Sequence, residues 1–567
     1  MQYKKLVEVY EELSSTTKRL EKIKILSKFL SYLHEDDKEV LYLLMGEIYP
    51  EYNEKKIGIS NQLVIKALSK ATGVNDKEVV KEWKIIGDLG LVAEKLIQKK
   101  KQSTLHSHIL TTEKILANLR KLPELEGKGT VDKKISLITE LLTSATPKEA
   151  LYLSRTLIGD LRIGIQDSTI RESMSAAFFD SEKEASQKIS SALDKTNDLV
   201  AVFEIAKKGK LKDFEKLSVQ VGKPIKAMLA QKVKTIEDGF KALGKPCAIE
   251  IKYDGFRLLI HKKGKEINLF TRTLENVTKQ FPEAVEYIQK YVKGNSFIID
   301  SEVVGYNKKT KKYQPFQSIS QRIKRKHDIG RLREEFPVEI NVFDIIYYNN
   351  KSLIDEPFEK RTQILRKIIQ NHPYKIIAAK QIITGDEKKA EEFYKMALKD
   401  NQEGVMMKNL GARYKPGRRV GHMLKIKPEE RDLDLVIVGA EYGKGKRTGW
   451  FSSFILSCKD DNKFLEIGKM GTGIKEKSAE EVGGVSFEEL TKKIKPLITE
   501  EHGRNVKVKP KIVVSVTYQE IQKSPTYNSG FALRFPRFTA LRPDKKPDDV
   551  STLKEIEDDY KKQMNKN

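Results

Sequence analysis

The chain has 567 residues, 39% of them hydrophobic and 33% charged, with a net charge of +26. This is too long for one hydrophobic core, so two to four domains are expected, and the apolar content excludes disorder as the dominant state. Two cysteines, Cys247 and Cys458, exclude a disulfide framework and a thiolate-rich zinc site, and no apolar run approaches a membrane span.

In chain order, residues 1 to 220 read as helical. Leu6, Val9, Tyr10 and Leu13 recur at helical spacing, as do Ile23, Leu26, Phe29, Leu30 and Leu33. The opening residues mix charged and apolar side chains and do not form a signal peptide, so a cytoplasmic, nucleoid-associated monomer with no membrane partner is expected. Basic clusters such as Lys99 to Lys101 and Arg322 to Lys326 point to a polyanion. The eight histidines show no metal-ligand spacing.

After Val221-Gly-Lys-Pro224 the pattern changes to short β-branched runs, and residues 221 to 427 read as an α+β region. Its expected strands include Ala248 to Lys252, Arg257 to Ile260, Ile267 to Phe270 and Ser296 to Val304, with a hairpin turn at Lys262 to Glu266. Helices are expected at Glu359 to Gln370 and Glu387 to Lys399. From Pro428 to the end, about five strands and one helix (Ser486 to Thr499) suit a small OB-fold β-barrel, followed by a charged, fraying tail helix from Thr552. The expected fold class is therefore multidomain: an all-α N-terminal domain, an α+β core with antiparallel sheets, and a C-terminal barrel.

The chemistry gathers in the middle region. Glu250-Ile-Lys-Tyr-Asp-Gly-Phe-Arg257 places Glu250 and Lys252 on one strand face. Alone, it fits an exposed hairpin with ordinary charges better than a ligand cradle. Asp300 and Glu302, two apart on a strand, could hold a hard divalent cation together. Glu403 and Lys408 flank another apolar strand, and Leu424-Lys-Ile-Lys427 puts two ammonium groups on one face, which calls for an anion between them. Gly443 to Gly449 lacks the spacing of a phosphate loop and reads as a basic hairpin.

These segments, in this order, closely resemble the nucleotidyltransferase superfamily of ATP-dependent DNA ligases, in particular the archaeal type similar to the eukaryotic replicative ligase. The resemblance covers most of residues 220 to 550. It rests on Glu250 to Arg257, Thr271-Arg-Thr-Leu-Glu275, Phe297 to Gly305, Asn341 to Ile346, Glu403 to Lys408, Met423 to Lys427, and Arg534 to Lys545. In the helical half it rests on Gly87 to Gly90, Asp160 to Gly164, and Pro224 with Met228 to Ala230.

The resemblance implies nick sealing in duplex DNA, in replication, repair and recombination, through a lysyl-AMP enzyme and an adenylated 5′-phosphate. Lys252 would carry the AMP. Glu250, Arg257, Arg272, Glu302, Phe343, Arg419, Lys425 and Lys427 would bind the nucleotide, with Phe343 stacking on adenine and Lys408 assisting. Glu302 and Glu403 would hold magnesium (manganese as the alternative), and Asp254 would approach the 3′-hydroxyl of the nick. Arg542, Asp544 and Lys545 would orient pyrophosphate, with the barrel closing over ATP for that step. Met423 stands where the family commonly has tryptophan, and is expected to pack beneath the lysine strand. The segment Gln102 to Ile109 is a degenerate match to the peptide that docks on sliding clamps. An RNA-joining or capping relative is the principal alternative, and the 220-residue helical half favours the DNA enzyme.

Overall fold

The computed structural model describes the chain except residues 100–108, 126, 128, 315, 317–318, 320–321, 324, 326, 418–420, 429–431, 444–446, 448, 477–484 and 566–567. The chain divides into two compact units, Met1–Val80 with Leu89–Lys427, and Lys81–Asp88 with Pro428–Asn567.

The first half is helical, as expected, from Tyr3–Ser15 to Leu199–Lys207. Leu6, Tyr10, Leu13, Leu26, Leu30 and Leu33 of the apolar stripes read from the sequence are buried, while Val9, Ile23 and Phe29 are half-buried at the edge of the packed face. The helix boundaries follow local chemistry. Thr146 and Glu149 form a reciprocal capping box with Pro147 at the first helical position, and Asp198 caps Leu199–Lys207 through two backbone N–H groups.

Residues 231 to 426 build two sheets. The first has the order Gln231–Lys232, Met423–Ile426, Gly404–Lys408, Cys247–Lys252, Gln381–Thr384; its pairs are antiparallel apart from the first. One face, carrying Ile249, Ile251, Val405, Met407, Leu424 and Ile426, packs in a core with Phe240 and Leu243 of helix Ile236–Leu243 and Ala390 and Ala397 of helix Glu387–Lys399. The second sheet runs Glu266–Thr271, Phe256–Lys263, Ser296–Tyr306, Val338–Tyr348, Lys351–Ser352. Leu258, Ile260, Ile299, Ile340 and Val342 form its core with Phe281, Ile288 and Leu365. The hairpin turn expected at Lys262 to Glu266 joins two of its strands.

The second unit is strand-rich, in agreement with the expected fold class, but holds more strands than five. Seven share one sheet, and Glu520–Lys523 pairs with Phe531–Arg534 in a separate hairpin. The expected helix Ser486 to Thr499 stops at Ile494 and is followed by a single 3-10 turn containing Pro496. Proline removes an N–H donor that the helix would need, and Ile498–His502 becomes a strand. The tail does not fray along its described length. Helix Leu553–Asn565 docks on the strands through fully buried Ile556 and a Phe531–Tyr560 ring pair 5.3 Å apart. The Gln563 side chain also exchanges two hydrogen bonds with the Ile521 backbone.

One further expectation needs correction. Arg322, counted within a DNA-facing basic cluster, is fully buried, paired with Glu283 at 2.6 Å and donating to the carbonyls of Phe336 and Gln280. Both cysteines are buried free thiols. Among the described residues no helix is long and apolar enough to cross a membrane.

Candidate functional site

The uncovered face of the first sheet and the adjoining edge of the second enclose a cavity of about 520 Å³, within the usual range for a small-molecule site. Strand alternation decides what faces it. On Cys247–Lys252 the isoleucines go to the core while Glu250 and Lys252 face the cavity. On Met423–Ile426, Leu424 and Ile426 are buried while Met423 and Lys425 line it. Met423 therefore does not pack beneath the lysine strand; it shares a face with Lys425 and forms part of the cavity wall.

Two glycines permit the close approach of these strands. A Cβ on Gly255 would meet the Val303 carbonyl oxygen at 2.2 Å, and one on Gly404, whose φ is +140°, would meet that of Ile426 at 2.1 Å. The Asp-Gly and Glu-Gly pairs singled out in the sequence are thus fixed by backbone contact.

At one end of the cavity stands Lys252. Its Nζ lies 2.7 Å from Glu403, and the same carboxylate oxygen is paired with Lys427. Of the lysine pair that calls for an anion, Lys427 meets the carboxylate of Glu403 in this structure. Burial draws the Lys252 ammonium below its ordinary range, against Glu302 and Asp254, and Arg272 adds to the lowering. Burial likewise pushes the Glu302 carboxyl up to about 7, with Asp300 beside it acting in the same direction against Lys252. The two shifts run towards each other, each driven first by burial.

Asp300 is not available to a cation. Arg257 Nε and Nη2 hold its two oxygens at 2.6 Å each, and the Tyr414 hydroxyl donates to it at 3.2 Å. Tyr414 in turn accepts from Arg257 at 2.9 Å and from the Met228 N–H at 3.3 Å. Both Asp300 oxygens are thus engaged by protein donors, which does not favour the expectation that Asp300 shares a cation with Glu302.

At the other end Glu250, 2% exposed, pairs with Lys408 at 2.6 Å. Burial raises the Glu250 carboxyl, and Lys408 opposes this. The Lys408 Nζ also donates to the Phe343 carbonyl at 3.2 Å and lies 4.9 Å from the Phe343 ring centre. Phe343 and Met406 line the cavity beside this pair, so this end offers a flat apolar ring and a buried carboxyl paired with a lysine.

The structure thus gathers Glu250, Lys252, Arg257, Arg272, Glu302, Phe343, Glu403, Lys408 and Lys425 around one cavity, with Lys427 joined through Glu403. Asp254 is felt electrostatically by Lys252 and Glu302. Arg419 and the segment Gln102 to His108 lie outside the described residues. In the second unit, Arg542 and Lys545 converge on Asp434, at 2.9 and 2.7 Å. Arg542 also grips Asp544, which holds that carboxyl down at about 2. Sequence reasoning missed Tyr414 and Gln381 as supports of the site. Tyr414 stands five positions before Arg419 with no role of its own in the motifs, and Gln381 carried no motif signal. Among the described residues no cluster of three or more metal-ligating side chains is preassembled.

Comparison with known proteins gives a consistent picture. Residues 227–427 match the family model described as ATP dependent DNA ligase domain. Residues 2–175 match DNA ligase N terminus, and residues 447–545 match ATP dependent DNA ligase C terminal region. A DNA ligase of Nanoarchaeum equitans is 43% identical over 99% of both chains. One from Methanopyrus kandleri is 38% identical over the full length of both. Among solved structures, Pmar-Lig_PreS3 shares the fold with a TM-score of 0.58 and 19% identity, over 94% of this chain and 99% of its own.

Proposed function

The chain belongs to the ATP-dependent DNA ligase family, whose members seal nicks in duplex DNA by way of a lysyl-AMP intermediate, and on that premise we propose that Lys252 is the residue that carries AMP. The observation that supports this most is the placing of Lys252 in a semi-enclosed cavity, where burial lowers its proton affinity and further lysines stand by. A nucleophilic amine must be neutral, and an ordinary lysine rarely is near pH 7.

In the proposed first step the neutral Lys252 nitrogen attacks the α-phosphorus of ATP. A nitrogen–phosphorus bond forms, the bond to the bridging oxygen breaks, and pyrophosphate leaves with that electron pair. Lys425, Lys427, Arg272 and Arg419 neutralise charge on the phosphates, while Phe343 stacks on adenine and Glu250 borders it. Arg257 is held rigid by Asp300 and Tyr414. Lys427, engaged by Glu403 in this structure, exchanges that carboxylate for the incoming phosphates, and Lys252 leaves the same carboxylate to attack. Arg542, Asp544 and Lys545 orient the leaving pyrophosphate. AMP then passes to the 5′-phosphate of the nick, and the 3′-hydroxyl, approached by Asp254, displaces it.

The family takes ATP as co-substrate together with a divalent metal. The residues fit such an ion: the Glu302 carboxyl, raised to about 7 by burial, is a site where a cation would restore ionisation. Glu302 and Glu403 would hold it, with magnesium as the ion, and when bound it would supply charge neutralisation on phosphate. Residues 1–220 are assigned to DNA binding, 221–427 to adenylation and 428–567 to the OB-fold. The monomeric state and clamp docking through Gln102 to Ile109 belong to the same proposal.

The test is incubation with ATP labelled at its α-phosphate and magnesium, followed by nicked duplex DNA. Acid-labile label on protein that Lys252→Ala abolishes and nicked DNA discharges is expected. Label indifferent to Lys252→Ala would overturn the assignment.

A further inference from the structure

Gln381 lies outside the ligase motifs and outside the cavity wall, on the edge strand Gln381–Thr384. It is the direct cross-strand partner of Glu250. Its Nε2 donates to Glu250 Oε1 at 2.8 Å, and Lys408 holds Oε2 at 2.6 Å. An amide facing an ionised carboxylate must present its NH₂, because the alternative sets two acceptors against each other. Each Glu250 oxygen therefore has one donor in place and a further lone pair free for the cavity. Burial pushes the carboxyl towards its acid form, and Lys408 and Gln381 both oppose that.

Position gives this arrangement its meaning. Glu250 is two residues from Lys252 on one strand face, about 6.6 Å along the sheet, comparable to the reach from an α-phosphate to a purine ring. The lysyl-AMP reading, with phosphate at Lys252 and the base at Phe343, would set the six-position edge of the purine against Glu250. Adenine presents an amino donor there and guanine a carbonyl acceptor.

We infer that Gln381 is a specificity-determining positioning residue, which holds Glu250 as an acceptor-only group so that the site takes a 6-amino purine nucleotide and rejects a 6-oxo one. The inference rests on the lysyl-AMP reading of Lys252 and deepens it. In Gln381→Met, Glu250 keeps Lys408 but loses its second donor, and its acid form, which can donate to a carbonyl, becomes easier to reach.

The experiment measures label transfer from α-labelled ATP or GTP to wild-type protein, Gln381→Met and Gln381→Arg over a range of nucleotide concentrations with magnesium. For Gln381→Met the KM for ATP should rise about tenfold and the preference for ATP over GTP should fall about tenfold, with the maximal rate changing less than about threefold, as loss of one hydrogen bond to a charged group implies. Gln381→Arg retains a donor and should keep the preference. Should Gln381→Met fail to fold, Gln381→Glu, of equal size, should lose the preference too. An unchanged KM and preference in Gln381→Met, or a fall in maximal rate alone, would overturn the inference, as would a Gln381→Arg enzyme that behaves like Gln381→Met. Wild-type protein that takes no label, or label that survives Lys252→Ala, gives a different pattern and defeats the lysyl-AMP reading itself.

Discussion

Replacing Lys408 by methionine isolates the electrostatics at the base end of the cavity. The Lys408 and Glu250 side chains are 4% and 3% exposed and 2.6 Å apart. Removing one partner from a buried pair costs about 3–5 kcal/mol, because the remaining charge is left without compensation. Glu250 has an escape, since it can take up a proton. Burial already raises its carboxyl in the folded protein, and loss of Lys408 raises it further. A carboxyl raised on folding costs nothing below its unfolded pKa. Its penalty grows as pH climbs from there to the folded value and then levels off. The deficit of Lys408→Met should therefore be about 3–5 kcal/mol at pH 7.5 and fall to about 1–2 kcal/mol near pH 4.5, where only lost packing and hydrogen bonds count. Urea unfolding of the segment containing residues 231–427, followed by a probe in that segment, measures this at both pH values. Adding Glu250→Gln should restore most of the loss at pH 7.5. A deficit equal at both pH values, or one the double variant does not relieve, would refute the reasoning.

Two other outcomes follow from the same structure. The rate of label transfer from ATP to protein should climb between pH 6 and 8, because the neutral fraction of Lys252, whose ammonium burial draws down, grows across that range; a rate flat or falling over this interval, measured by rapid quench, contradicts the account. Ile556→Ala should destabilise the second unit by about 2–5 kcal/mol, since Ile556 is fully buried where the tail helix docks; an unchanged thermal transition of that unit would show that the docking contributes little.

The nucleotide half of the site is legible in the sequence because β-alternation sorts its chemistry. Glu250 and Lys252 alternate with two isoleucines, and the cavity receives the polar pair. The same rule applied to Met423 and Lys425 would have put the methionine in the cavity wall; judging Met423 by the family's tryptophan obscured that. Asp300 was misjudged for a different reason. Its bidentate partner Arg257 sits on a neighbouring strand 43 positions away in sequence, and cross-strand pairing is not readable from spacing within one strand. Gln381 is invisible for the same reason. The additional strands of the second unit are short and polar at their exposed positions, so they carry little periodic signal. Arg322 shows that a basic run does not imply a basic surface: carbonyls and Glu283 drawn from other segments take the guanidinium into the core.

The most direct test of the central claim is to incubate the protein with ATP and magnesium, digest it, and locate the AMP adduct by mass spectrometry. The account predicts an adduct on the peptide containing Lys252, absent from Lys252→Arg and removed from the wild-type enzyme by nicked duplex DNA. An adduct on another lysine, or one that persists in Lys252→Arg, would contradict it.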